Sequence, residues 1–391
     1  MINDYVGDLI FSSLGEMKQE QILHPERIYL AIDHNYPSFS VDAADKLVRL
    51  KKMAKQYGIT HMTRMGAHGI SHQLMVEHFV RPLEIALGTD SHATMYAGLG
   101  SFSCGITTSD ALSALTAGTV WIKVPETIRF LIHGPLPVGV TAKDLCLFLV
   151  GAYSQDLYTY RAVEFTGDTI RSMSVESRLV IANLMAESGA KCAVFEADEK
   201  AYAYAGIPAG EKLSSDADAV FVREEEIDAS KLEPVLACPD AVTNVHPVAE
   251  AAGKKVDQVF IGSCTNGRLE DLQQAASILK GRRVAKGTRL IVTPASQQIA
   301  LEALKAGVIG TLMEAGAAIM TSSCASCAGH GPGLIGEGER CISTTNRNFK
   351  GRMGSVNSEV YLGSAYTAAA SAVTGVITDP RTFLHEKGGA D

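Results

Sequence analysis

The sequence predicts an α/β protein of several domains, with parallel sheets arranged around a group of cysteines. Three observations lead there. A chain of 391 residues exceeds what one ordinary hydrophobic core supports, so two or three domains are expected. From Asp257 onward, strand-like and helix-like patterns alternate regularly, which implies parallel strands joined by crossovers. Cysteines fall just after two of those expected strands, at the end of a parallel sheet where ligands bind.

Bulk properties narrow the function. Hydrophobic residues make up 46% of the chain and charged residues 20%, ordinary values for a globular protein in water. A net charge of −8 gives no general attraction to nucleic acid or anionic membranes, so an anionic ligand needs a local group of Arg, Lys or helix N-termini. The opening MINDYVGDLIFSSLG lacks the basic start and small-residue cleavage site of a secretory signal. The most apolar stretch, near residues 303–320, is interrupted by Lys305 and Glu314, so no membrane span and a cytoplasmic location are expected. Eight cysteines in such a chain argue for thiols or metal ligands over disulfides. No repeat of solenoid period occurs.

Taken in order, a first domain is expected over 1–125, rich in Gly and His, with GAHGISHQ and GTDSHATMYAGLGSFSCG. Within it VDAADKLVRLKKMAKQYG spaces its apolar residues at three and four, which predicts a helix. The strand-like ETIRFLIHGPLPVG opens a second domain over 126–225. There SMSVESRLVIANLMAESGAK predicts a buried helix capped by Ser174, with Glu176 in its positive first turn and Gly189 closing it. Asn183 and Glu187, four apart, share one face of that helix. The polar FVREEEIDASKLEPVLACPDAVTNVHP reads as a connection into a third domain, 226–391. That domain runs strand VFIG, loop SCTNG, helix LEDLQQAASILKG, strand RLIVT, helix SQQIALEALKAG, then AAIM and a cysteine loop.

Cys324-Ala-Ser-Cys327 by itself fits half a zinc site, a redox pair or nothing. Zinc would need a fourth ligand of similar softness. Cys264 supplies a third thiolate at a strand end, and three thiolates suit an iron–sulfur cluster with one iron free of protein ligands. Such an iron acts as a Lewis acid on a hydroxyl and carboxylate. Cys104, Cys146 and Cys192 sit in apolar contexts and read as small core residues; Cys238 and Cys341 stay ambiguous.

IGSCTNGRLEDL followed by SSCASCAGHGPGLIGEGERCISTTNRNFKGRMGS resembles the paired cluster signatures of the aconitase family. DSHATMYAGLGSFSCGI and GISHQLMVE resemble that family's other site segments, and VWIKVPETI is similar to its isopropylmalate dehydratase and homoaconitase branch. The resemblance implies a three-domain aconitase-like fold around a [4Fe–4S] cluster held by Cys264, Cys324 and Cys327. It implies catalytic roles for Asp33, His34, His72, Asp90, Ser91, His92 and Glu187. It implies substrate contacts from Asn183, Asn346, Arg347 and Arg352, and more loosely from Asn3. The activity implied is a hydro-lyase acting on a small hydroxy-di- or tricarboxylate, isopropylmalate first and homoaconitate, dimethylmalate or citramalate types after it. Elimination of water suits these residue types, since a His–carboxylate pair keeps an imidazolium available and arginines grip carboxylates. Alone, each histidine would read as an ordinary core or surface residue, as His24, His61, His133 and His385 do; His68, His78 and His330 are candidates to support the site.

Two positions depart from the family pattern: Ala93 stands where Thr is usual, and CAGHGPG carries its His one place early. The resemblance also implies a separate small subunit with the swivelling domain that supplies the base half of the site, because the sequence ends soon after AASAVTGVITDPRTFLHEKGGAD. An iron-responsive RNA-binding role, found among aconitase relatives, is disfavoured by the acidic net charge and the lack of a basic stripe.

Overall fold

The computed structural model describes residues 1–324 and 326–384; His385 lies outside them. Among the described residues the chain forms four sheets. The largest has seven strands in the order Val245–Pro247, Val235–Ala237, Glu359–Leu362, Arg340–Ser343, Gln258–Ile261, Arg289–Val292 and Ala318–Ile319. Its last five are mutually parallel, with Val259 opposite Leu290 on one side and Ile342 on the other. Gln258–Ile261 is buried along its whole length, as a strand covered by helices on both faces must be. The helices Leu269–Leu279 and Ala365–Thr374 supply part of that cover.

A parallel sheet of four strands, built on Thr127–His133 and Ala162–Thr166, occupies the middle of the chain. The first part holds a three-stranded parallel sheet of Ile2–Asn3, Tyr29–Ala31 and His61–Met62, and a parallel pair, Ile85–Gly88 with Phe102–Gly105.

The expected helices form where their signals stood. Ser40, Ser174 and Ser296 cap Val41–Gln56, Val175–Leu184 and Gln297–Lys305, each side-chain oxygen accepting a backbone N–H of the first turn. The middle helix is shorter than expected: it ends at Leu184 and tightens into a 3₁₀ turn, Met185–Ser188, before Gly189 at φ 89°. Glu187 therefore rides on the 3₁₀ turn, and Asn183 on the α-helix.

The stretch read as a connection is a correction. Arg223–Asp228 is an edge strand paired with Thr127–His133, and Val235–Ala237 and Val245–Pro247 pair antiparallel in the large sheet. No alternation betrayed the first, because its REEEID side chains are exposed or half-buried. The other two are only three residues long.

The 3₁₀ segment Ser91–Leu99 lies tightly against Val175–Leu184. Gly98 permits this approach: a Cβ there would stand 2.9 Å from the backbone nitrogen of Leu179. One apolar core, including Leu99, Leu179, Val259, Ile261 and Leu272, then runs from this junction into the large sheet. Asp90 caps and His92 begins one of the two elements, while Asn183 ends the other and Glu187 follows it on the 3₁₀ turn, so their separation is set by that packing. Gly98→Ala should push the elements apart and lower stability by about 1–3 kcal/mol, as overpacking does. Urea unfolding checks this, and an unchanged midpoint would show that the junction yields freely.

Candidate active site

Parallel pairing brings three turns to one edge of the large sheet. Cys264 follows Gln258–Ile261, Cys324 and Cys327 follow Ala318–Ile319, and Asn346 and Arg347 follow Arg340–Ser343. The first turn is sharply built. Ser263 sits at φ 79°, unusual for a residue with a side chain, and its Oγ accepts the Thr265 N–H at 3.2 Å. At Gly262 a Cβ would come within 2.6 Å of the Thr293 carbonyl oxygen, so only glycine fits.

These turns form one wall of a cavity of about 290 Å³, and the other walls come from the first third of the chain. Asn3, Asp33, His34, His72, Asp90, Ser91, His92, Cys264, Cys324, Cys327, Asn346, Arg347 and Arg352 all line it. Asn183 and Glu187 stand behind that lining. A larger cavity, about 460 Å³, lies beside Phe165, Phe195 and Ser215 and is lined by neither cysteine nor histidine.

All the cysteines are free thiols. The Asn346 side chain bridges two of them, its Nδ2 3.4 Å from Cys264 Sγ and its Oδ1 3.7 Å from Cys327 Sγ. The same Nδ2 donates to Asn183 Oδ1 at 3.1 Å, which also accepts the Thr265 hydroxyl at 3.0 Å. Burial pushes the Cys264 thiol up to about 12. The hydrogen bond with Cys324, and then the Arg352 guanidinium, hold Cys327 below the ordinary thiol range. Cys104, Cys146, Cys192 and Cys341 are buried away from the cavity, and Cys238 is half-buried.

Two acid–imidazole networks face the thiols. In the first, His34 Nδ1 lies 3.0 Å from both Asp4 Oδ1 and Asp33 Oδ1. Burial disfavours its charge, but Asp33 and Asp4 outweigh that and hold His34 well above the ordinary histidine range. Asp33 Oδ2 accepts the Ser71 N–H at 2.7 Å, while Asp33 Oδ1 has no hydrogen bond of good geometry. In the second, Asp90 Oδ1 accepts from His72 Nε2 at 3.0 Å and from the His92 backbone N–H at 2.9 Å. His92 Nε2 meets Glu187 Oε1 at 2.7 Å, and Arg347 Nε donates to both Glu187 oxygens, at 2.8 and 3.0 Å. Against the effect of burial, Asp90 and Glu187 raise His92, while His92 and Arg347 lower Glu187. Arg347 Nη2 donates to Ser91 Oγ at 2.8 Å, and Asn3 Nδ2 reaches Asp90 Oδ2 at 3.4 Å. Arg352 Nε is buried without a hydrogen-bond partner.

The sequence reading missed several neighbours. Asp4 holds His34 and Asn35, and Tyr96 accepts or donates at His72 Nδ1, 3.1 Å away. The Tyr5 ring stands edge-on to His34 with centroids 5.4 Å apart. His330 Nε2 lies 3.1 Å from the His34 carbonyl oxygen; His68, His78 and His330 themselves do not line the cavity. Asp4 and Tyr5 adjoin Asn3, a signal that was available.

The donor set fits an iron–sulfur cluster. Three free thiols on one wall give soft ligands, and no further thiol lines the cavity to complete a zinc site.

Comparison with known proteins agrees with this geometry. The model of the aconitase family (aconitate hydratase) matches residues 1–255 and 245–375. The 3-isopropylmalate dehydratase large subunit of Oleidesulfovibrio alaskensis is 43% identical over 97% of this chain and 92% of its own length. The 3-isopropylmalate dehydratase large subunit 1 of Methanopyrus kandleri is 43% identical over 98% of this chain and 93% of its own. Among solved structures, the holo-form of Thermococcus kodakaraensis aconitase X shares the fold, with a TM-score of 0.54, 10% identity and coverage of 88% of this chain and 82% of its own. With its cysteine turns, its paired histidines and carboxylates and these matches along nearly the whole sequence, the chain belongs to the aconitase family.

Proposed function

We propose that the chain is the large subunit of a 3-isopropylmalate dehydratase, a hydro-lyase that removes water from a substituted malate and, in reverse, adds it. The observation that carries this reading is the meeting of three free thiols, two acid–imidazole networks and two arginines in one cavity. Cys264, Cys324 and Cys327 would hold a [4Fe–4S] cluster. When bound, that cluster supplies a Lewis-acidic iron toward the substrate hydroxyl and carboxylate.

The chain's own residues divide the remaining work. Arg352 and Arg347, both on the cavity wall, bind the substrate carboxylates; Arg347 does so while clamped to Glu187 and Ser91. Hydroxide is a poor leaving group and needs a proton as the carbon–oxygen bond breaks. His92 holds such a proton at a nitrogen beside the cavity, kept there by Glu187 and Asp90. His34, paired with Asp4 and Asp33, stays an imidazolium and adds positive charge where the leaving oxygen turns negative. Asn3 and His72 fix the Asp90 carboxylate, and Asn183 fixes Asn346 against the thiols.

The relatives' names, which call them large subunits, support a separate small subunit as partner. So do the exposed aromatic side chains Tyr5 and Phe39 at the His34–His330 rim, which a docking chain would cover. Such a partner would exclude water and complete the base half of the site.

The pH profile tests the acid. The Glu187 charge favours the protonated form of His92; without it the proton leaves at lower pH. Glu187→Gln should therefore move the alkaline limb of kcat/KM to lower pH by about one unit or more. An unmoved limb would take the acid role from His92. The function itself is tested by anaerobic assay of the cluster-loaded chain on 3-isopropylmalate, with and without a small subunit. Turnover should need the small subunit, and no turnover in its presence would refute the proposed reaction.

A further inference from the structure

Two cations lie wholly buried behind the cysteine turns, and nothing in the proposed chemistry uses them. Lys143 and Arg268 are both fully inaccessible. Neither forms an ion pair among the described residues. Lys143 Nζ donates to the Thr344 carbonyl at 2.9 Å and the Thr345 carbonyl at 2.6 Å, the two peptide groups just before Asn346 and Arg347. Arg268 spreads its guanidinium over four acceptors. It reaches the Cys264 carbonyl and the Thr265 carbonyl, both at 2.7 Å, Gln73 Oε1 at 2.9 Å and Met95 Sδ at 3.0 Å.

The carboxylates nearby are engaged elsewhere. Asp271 accepts the Arg268 backbone N–H and the Asn266 amide. Asp144 accepts the Thr141 N–H and hydroxyl and the Val235 N–H. Burying a cation without a paired anion is expensive, often several kcal/mol, unless negative charge nearby offsets it. Three thiolates and the sulfides of an iron–sulfur cluster are such a charge, and the two turns held by these cations are the turns facing it.

We propose that Lys143 and Arg268 are positioning residues that clamp the Asn346–Arg347 and Cys264 turns and supply fixed positive charge to an anionic iron–sulfur centre. This rests on the cluster reading above. It assigns each cation a distinct duty. Lys143 has one short reach to two carbonyls and acts chiefly by charge. Arg268 has a planar fork satisfied on all sides, which an ammonium cannot reproduce, and fixes the Cys264 turn by shape as well.

The test is redox titration of the reconstituted full-length chain, followed by electron paramagnetic resonance, together with the rate at which a chelator strips iron. Lys143→Met keeps length and removes charge. At a fixed potential it should raise the oxidised-to-reduced ratio of the cluster about tenfold, a fall of ~59 mV for one electron. Arg268→Gln should move the potential the same way. Arg268→Lys should keep the potential near wild type yet lose iron to chelator several times faster. If Lys143→Met does not fold, the two Arg268 variants decide the matter. Wild-type potentials in the charge-removing variants, with a wild-type stripping rate in Arg268→Lys, would overturn the proposal alone. A wild-type chain that takes up no iron and sulfide would overturn the cluster reading with it.

Discussion

The parallel pairing of Arg340–Ser343, Gln258–Ile261, Arg289–Val292 and Ala318–Ile319 is the constraint on which the rest depends. Parallel strands all end on the same side, so each following turn is delivered to one edge of the sheet. Cysteines 60 residues apart in sequence become neighbours because both turns flank a common middle strand, Arg289–Val292. Asn346 then ties the third turn to two of those thiols. A sheet of mixed direction at this point would send alternate turns to opposite edges.

The opposite wall of the cavity follows from a second packing decision. Gly98 lets the Ser91–Leu99 segment settle on Val175–Leu184, and this fixes where His92 meets Glu187. Charge is then distributed in alternation across the site. Asp4 and Asp33 enclose His34, Asp90 joins His72 to His92, and Glu187 joins His92 to Arg347. Within these networks each charge has a partner of opposite sign, which is what allows several ionisable groups to be withdrawn from water together. Arg352 lines the cavity, and its buried Nε has no hydrogen-bond partner.

Much of this was legible in the sequence. The strand–loop–helix rhythm after Asp257 and the Ser174 cap are local signals, and local physics carries them into the structure. The residues that line the cavity were singled out through motif resemblance, since their spacing alone leaves a Cys-x-x-Cys or an Asp-His with several readings. What escaped was long-range or edge-bound. Lys143 meets its carbonyl partners 201 and 202 residues later, and no neighbouring residue announces that. Arg268 stands in plain view after SCTNG, but its buried fork is visible only once Gln73 and Met95 arrive from the first third of the chain. The Arg223–Asp228 strand was hidden by its acidic, solvent-facing composition.

The most direct test of the proposed centre is Mössbauer spectroscopy of the ⁵⁷Fe-reconstituted chain, with and without 3-isopropylmalate. A cluster held by Cys264, Cys324 and Cys327 leaves one iron without a thiolate. The spectrum should therefore resolve one site in four that changes when substrate is added, while the other three stay put. Four equivalent, unresponsive irons, or a chain that binds stoichiometric zinc in their place, would contradict the account.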